Sequence, residues 1–203
     1  SRDVVNDFVP RRNAITIVGG NLYFISNNPK SLFKFSLDGT STESITSTPL
    51  GTSMGNINGF RLLALYSFNN ELYVLIRKIV SSFGSTFYFY DVWKYDGNGN
   101  WQDTGTTITT ATMYSMFGIF AELGGNLFLA ISQSPSGSSK LPRLYKYDGS
   151  EWDEIYKFSS NISVSCFTGY NSRIWYGTQE FGALAKFDTF GNDVGSASIA
   201  GTG

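Results

Sequence analysis

An all-β fold built from short antiparallel strands is what this 203-residue sequence predicts, on three observations. Charged residues make up only 15% of the chain, well under the share of an average globular protein. Glycine (22), tyrosine (12) and phenylalanine (17) are abundant, and these residues suit tight turns and pleated surfaces better than helices. The third observation is an internal repeat that recurs four times with a period near the length of one four-stranded sheet.

Each copy reads as a turn, a short apolar strand, a variable connection, an aromatic-Lys-aromatic strand and an Asp/Gly turn. The first copy runs Gly20-Asn21-Leu22-Tyr23-Phe24, then Leu32-Phe33-Lys34-Phe35, then Asp38-Gly39. The second has Asn70-Glu71-Leu72-Tyr73-Val74, then Val92-Trp93-Lys94-Tyr95, then Asp96-Gly97 and Trp101. The third has Gly125-Asn126-Leu127-Phe128-Leu129, then Leu144-Tyr145-Lys146-Tyr147, then Asp148-Gly149 and Trp152. The fourth departs furthest, with Ser172-Arg173-Ile174-Trp175-Tyr176, Leu184-Ala185-Lys186-Phe187, Asp188 and Gly191.

Ahead of each copy lies a further apolar run: Ala14 to Val18, Phe60 to Ser67, Phe117 to Leu123 and Val164 to Thr168. The runs end in Gly19-Gly20, Asn69-Asn70, Gly124-Gly125 and Asn171, residues that accept the positive φ of a two-residue hairpin. After each Asp/Gly turn comes a more polar strand: Ser41 to Ser47, Trp101 to Ile108, Trp152 to Phe158 and Val194 to Ile199. Four strands per copy follow, over residues 13–48, 58–110, 114–160 and 162–200 of one domain, with residues 1–12 as a strand or tether. The steps between Leu22, Leu72, Leu127 and Ile174 are 50, 55 and 47 residues, the size of one propeller blade. A β-sandwich offers no reason for one motif to recur at that spacing. The predicted architecture is therefore a β-propeller with about four four-stranded blades, either closing by themselves or forming part of a larger ring.

The segments from Leu144 to Trp152 and from Val92 to Trp101 resemble the blade signature of kelch-like and related bacterial or viral surface β-propellers. Residues Asn21 to Gly39 are also similar to the extracellular receptor-type propeller repeat. Such resemblance implies a fold and leaves the function open, because propellers host lectins, adhesins, scaffolds and hydrolases alike. The sialidase Asp-box, Ser-x-Asp-x-Gly-x-x-Trp, is approached and missed: glycine follows Asp96 immediately, and Trp152 lies one residue too close to Asp148.

Composition excludes several functions. Fifteen Lys and Arg against sixteen Asp and Glu leave a formal charge of -1, too balanced to hold nucleic acid or an anionic membrane by bulk charge. The chain has no histidine and one cysteine, Cys166, so a His-dependent triad, a Cys/His zinc site and an intrachain disulfide are ruled out. No apolar run is long enough for a membrane-spanning helix. The start, Ser1-Arg2-Asp3, reads as that of a mature chain or a fragment.

Lys34, Lys94, Lys146 and Lys186 could suggest a ring of cations, but strand alternation predicts stems along apolar surface and heads in water. Asp38, Asp96, Asp148 and Asp188 read as turn residues, since no local array of acids accompanies them; no metal or cofactor is expected. Cys166 reads as a small buried hydrophobe. Of the carboxylates, Glu151, Asp153 and Glu154 fall on or beside an outer strand, leaving Glu122 and Glu180 as the one pair for glycoside hydrolysis.

Length variation points to the ligand surface. From the matched Leu or Ile to the motif Lys the separations are 12, 22, 19 and 12 residues, so the second and third copies carry insertions between their second and third strands. These read as loops, Arg77 to Phe87 and Ser132 to Arg143, with short counterparts at Ser26 to Ser31 and Thr178 to Ala183. Arg77, Lys78, Phe83, Lys140, Arg143, Gln179 and Phe181 are the expected ligand-binding residues, because aromatic planes stack on sugars or anchor proteins while Arg and Gln direct hydrogen bonds. The expected function is a non-catalytic, adhesin-like binding propeller, extracellular or on a cell or virion surface, recognising glycan or protein; Asn161-Ile162-Ser163 fits a glycosylated exterior. The alternatives are a structural module of a larger surface or virion assembly, with a homo-oligomer among its forms, and a glycosidase-like fragment using Glu122 and Glu180.

Overall fold

The computed structural model describes residues 14–27, 30–47, 60–82, 85–110, 117–132, 143–157, 164–178, 183–188 and 193–198. The sixteen strands among them form four antiparallel meanders of four. Sheet I holds β1 (Ile15–Val18), β2 (Asn21–Asn27), β3 (Lys30–Ser36) and β4 (Thr42–Ile45). Sheet II holds β5 (Arg61–Phe68), β6 (Glu71–Ser82), β7 (Ser85–Tyr95) and β8 (Trp101–Thr110). Sheet III holds β9 (Phe117–Leu123), β10 (Asn126–Ser132), β11 (Arg143–Tyr147) and β12 (Trp152–Lys157). Sheet IV holds β13 (Val164–Tyr170), β14 (Arg173–Thr178), β15 (Ala183–Asp188) and β16 (Asp193–Ser198). The strand or tether expected over residues 1–12 and the Asn161 sequon lie outside the described residues.

Turn chemistry explains the hairpins. The first hairpin of each sheet closes across two residues, pairing Val18 with Asn21, Phe68 with Glu71, Leu123 with Asn126 and Tyr170 with Arg173. Both loop residues take positive φ, as at Asn69 (50°) and Asn70 (60°), the conformation whose twist matches the flanking strands. Ser172, at φ 58°, stands where glycine or asparagine would be expected.

The insertion in the second copy corrects the sequence reading. Arg77 to Ser82 and Ser85 to Phe87 are strand, not loop: β6 and β7 extend through them in unbroken register, Arg77 opposite Tyr90 and Ser82 opposite Ser85. Ile79 and Val80 facing Tyr88 and Phe87 are β-formers on both strands, and a ladder satisfies backbone groups that a loop would leave to water. The added length thus makes a taller sheet. In the third copy, residues 133–142 lie outside the described residues, with Ser132 and Arg143 as the strand ends that flank them.

The chain divides into two compact units, Ser1–Met113 and Tyr114–Gly203. In the first, sheet I packs one face on sheet II: Tyr23, Ile25 and Leu32 join Leu62, Leu65, Leu72, Val74 and Tyr95 in one core. Each fully buried Leu there contributes about 2 kcal/mol by removing apolar surface from water. The other face of sheet I carries Phe24 stacked on Phe33 and Phe35, with centroids 4.8 and 5.3 Å apart, beside exposed Ile15 and Ile17. In the second unit, Ile119, Phe128 and Leu144 of sheet III pack on Ile174 and Tyr176 of sheet IV. Their approach is close at Gly169, where an added Cβ would collide with the Glu122 backbone carbonyl.

Candidate functional site: a cleft at the turn end of the first unit

Three turns meet at one end of the first unit: Gly19-Gly20 of sheet I, Asn69-Asn70 of sheet II, and the β7–β8 turn from Asp96 to Asn100. The first two are tied by the Gly19 amide, which donates to Asn70 Oδ1 at 3.2 Å. The third is held from inside. Asp96 Oδ1 accepts from the amides of Asn98 (2.7 Å) and Asn100 (3.1 Å), and its Oδ2 accepts from Asn100 Nδ2 at 2.7 Å. Gly97 has φ 81°, and a Cβ there would lie 3.1 Å from the Tyr23 hydroxyl, so both conformation and space call for glycine. Its carbonyl accepts a 2.8 Å hydrogen bond from Lys34 Nζ, linking sheet I to the turn of sheet II.

Between these turns lies a cleft of about 510 Å³, lined by Tyr23, Lys34, Glu71, Lys94, Tyr95 and Trp101 together with turn residues. The lysines correct the expectation that their heads sit free in water. Lys34 stands opposite Tyr23, on the face that packs against sheet II, so its ammonium needs partners: Gly97 and, at 3.6 Å, Glu43. Lys94 Nζ lies 2.9 and 3.0 Å from the two Glu71 carboxylate oxygens and 5.9 Å from the centre of the Tyr73 ring. Both lysine side chains are about one-fifth exposed, at 21% and 20%.

The donors turned on Asp96, the Asn100 side chain foremost, hold its carboxyl below the usual carboxylate range. Burial pushes the Tyr95 hydroxyl up to about 12, with the Glu43 charge adding to it. Tyr95 is 2% exposed and lies tilted against Trp101, centroids 4.8 Å apart. Its hydroxyl and Trp101 Nε1 are both shielded from solvent, and the Gly99 backbone bears on the hydroxyl from within the turn, pulling slightly against the rise.

The residues expected to bind ligand sit elsewhere. Arg77 and Lys78 lie on β6, towards the β6–β7 tip and away from the cleft, and both are engaged within the sheet. Lys78 Nζ is 2.8 Å from Asp91 Oδ2, a carboxylate only 3% exposed, and 5.6 Å from the centre of the Phe89 ring. Arg77 is half-buried, its guanidinium 5.8 Å from the centre of the Tyr88 ring. Arg143 begins β11 and pairs with Glu154 of β12. Phe83, Lys140, Gln179 and Phe181 lie outside the described residues, as does Glu180, while its supposed partner Glu122 is exposed on β9. Among the described residues no cluster of three or more acids or thiols could hold a metal ion.

The cleft residues escaped the sequence reading because they come from three turns brought together only when sheet I packs on sheet II. A signal was present in the Asp96 turn, which is one residue longer than its counterpart at Asp148.

Comparison with solved structures identifies the fold. The chain is similar to one in the crystal structure of a nidogen/laminin complex, with TM-score 0.52 and 8% identity over 88% of this chain. It is similar to YjhT, with TM-score 0.55 and 13% identity over 95% of this chain. A weaker superposition, TM-score 0.33 at 13% identity, covers 93% of the chain and 69% of the β-propeller domain of the trilobed protease from Pyrococcus furiosus. The chain spans 59% of the length of the first of these and 66% of the second. No protein-family model matches it, and no curated protein does. The protein is therefore all-β, with four-stranded antiparallel sheets that match β-propeller structures. The kelch-like resemblance holds at the level of fold.

Proposed function

We propose that the protein is a non-catalytic binding module, extracellular or displayed on a cell or virion surface, that holds a glycan or protein partner in the cleft of its first unit. The observation that carries this reading is the state of the cleft carboxylates. Glycoside hydrolysis needs one carboxyl kept protonated as a general acid and a second as nucleophile or base. Glu71 is ion-paired with Lys94, and Asp96 is locked as an anion by its own turn, so both serve as fixed acceptors. A concave site with aromatic walls and polar groups in fixed positions is what a binding module requires.

The test is to immobilise the full chain and probe it with a glycan array and with extracellular protein fractions, alongside chromogenic glycosides. Retention of a ligand without turnover is expected. Sugar release that is lost in Glu71→Gln or Asp96→Asn would overturn the non-catalytic reading.

A further inference from the structure

We infer that the open face of sheet I docks a second copy of this chain, which meets it with the face of its sheet IV turned away from sheet III, so that copies associate head to tail. Ile15, Phe24, Phe33 and Phe35 supply one side of the contact, Tyr170 and Trp175 the other. The association is independent of what the cleft of the first unit binds.

Two sheet packings inside the chain follow one rule. Where sheet I meets sheet II, sheet I offers Tyr23, Ile25 and Leu32, and sheet II offers Leu65, Leu72 and Val74. Where sheet III meets sheet IV, sheet III offers Phe128, Ala130 and Leu144, the repeat counterparts of Tyr23, Ile25 and Leu32; sheet IV offers Ile174 and Tyr176, the counterparts of Leu72 and Val74. The same faces meet in the same order both times. By that rule the face of sheet I with Leu22 and Phe24 takes a preceding sheet, and the face of sheet IV with Trp175, counterpart of Tyr23, takes a following one. An occupant for the first must be built like the second, and a further copy of this chain carries it.

Exposure marks both faces. Leu65 is fully buried between sheets I and II, whereas Ile15, its counterpart in sheet I, is 52% exposed beside the Phe24 stack. Val18 packs into the first core, whereas Tyr170, its counterpart in sheet IV, is 70% exposed. The turns repeat the contrast. A Cβ on Gly97 would lie 3.1 Å from the Tyr23 hydroxyl of the neighbouring sheet, but at Gly39, the matching glycine of sheet I and also at positive φ, nothing among the described residues comes within 4 Å. An apolar sheet face gains free energy by leaving water, and a contiguous one marks an interaction surface. Charge agrees with the pairing. Arg173 is exposed on the same face of sheet IV as Trp175, at the position that Asn21 holds in sheet I near the Asp96 turn; docking carries it to the Asp38 turn, a cation to an acid. Because two different faces meet, copies close into a ring or continue as a filament.

Sedimentation velocity of the full chain should show association that grows with concentration. Ile15→Glu and Tyr170→Glu change side chains that are more than half exposed, so each should keep the wild-type circular dichroism and melting temperature while weakening association roughly tenfold or more. Mixed in equal amounts, the two variants should form a dimer again, because the intact sheet IV of one meets the intact sheet I of the other. Should either variant fold poorly, hydrogen exchange on the wild type reads the same contact: β1 and β13 should both gain protection as concentration rises. A wild type that stays monomeric at every concentration, as it would with the face closed by a segment of its own chain, overturns the inference. So does association weakened by only one variant or by neither, a mixture that stays monomeric, or protection gained by only one of the two strands.

Discussion

The turn after β7 and the turn after β11 carry the same Lys-Tyr-Asp-Gly sequence, yet one is self-contained and the other is not. In sheet III four residues separate the paired Tyr147 and Trp152; the rings stack at 26° with centroids 4.9 Å apart, and the Tyr147 hydroxyl reaches back to Gly149. In sheet II five residues separate Tyr95 and Trp101, and their rings stand at 48°. Asp96 accepts from Asn98 and Asn100, whereas Asp148 accepts from Ser150 and Glu151. One added residue changes the arc of the turn, so the Tyr95 hydroxyl meets the Gly99 backbone where the Tyr147 hydroxyl meets Gly149. A motif that reads as pure architecture in one sheet becomes, one residue longer, part of the wall of a cleft.

The two sheets also differ in where they keep charge, and this difference gives the largest predicted effect. Lys78 neutralises the buried Asp91 in sheet II, so Lys78→Met should destabilise by about 3 kcal/mol, because a buried carboxylate loses its counter-charge. The double variant Lys78→Met, Asp91→Leu should recover most of the loss in urea unfolding. In sheet III the ion pair of Arg143 with Glu154, between the third and fourth strands, is exposed by 44% and 34%, and Arg143→Met should cost under about 1 kcal/mol. Equal costs for the two substitutions would break the comparison.

The paired tyrosines sharpen it. Tyr147→Phe should cost about 1 kcal/mol by removing a formed hydrogen bond. Tyr95→Phe should cost less, since the Gly99 backbone bears on its hydroxyl more weakly than Gly149 does on Tyr147. Thermal melts of the two variants decide this directly, and a Tyr95→Phe loss as large as that of Tyr147→Phe would show the two turns to hold their tyrosines equally.

The pH dependence should be the smallest effect and should divide between the two turns. Hydrogen bonds from the Ser150 and Glu151 amides hold the Asp148 carboxyl at about 2, below its ordinary 3.8. Its contribution is therefore present above about pH 4 and lost as pH falls towards 2. Asp148→Asn should flatten the acid limb of stability against pH. Tyr95 has the opposite sign: its folded value of about 12 lies above the ordinary 10, so its contribution is complete below pH 10 and is lost as pH rises through 12. Tyr95→Phe should remove that alkaline slope, as chemical denaturation between pH 9 and 12 would show.

Much of the fold was legible in the residues. Gly-Gly and Asn-Asn pairs announced hairpins that only positive φ can close, and the recurring strand centred on Lys34, Lys94, Lys146 and Lys186 marked the third strand of every sheet. The insertion after Leu72 was located correctly but misread as a loop, because the alternation of Ile79 and Val80 against Phe87 and Tyr88 appears only when the two strands are laid in register. The cleft could not be read in advance. Tyr23, Lys34 and Glu71 are ordinary strand residues until two sheets meet, and no local pattern says which face of sheet I will be covered.

Local chemistry was enough to determine the turns, the strand count and the fourfold repeat, since backbone conformation and alternation act over a few residues. Packing of one sheet on another decided that Lys34 reaches the Gly97 carbonyl, that the Gly19 amide meets Asn70 and that three turns frame a cleft. Those outcomes depend on contacts between residues some fifty positions apart, whose energies exist only once the chain has brought them together.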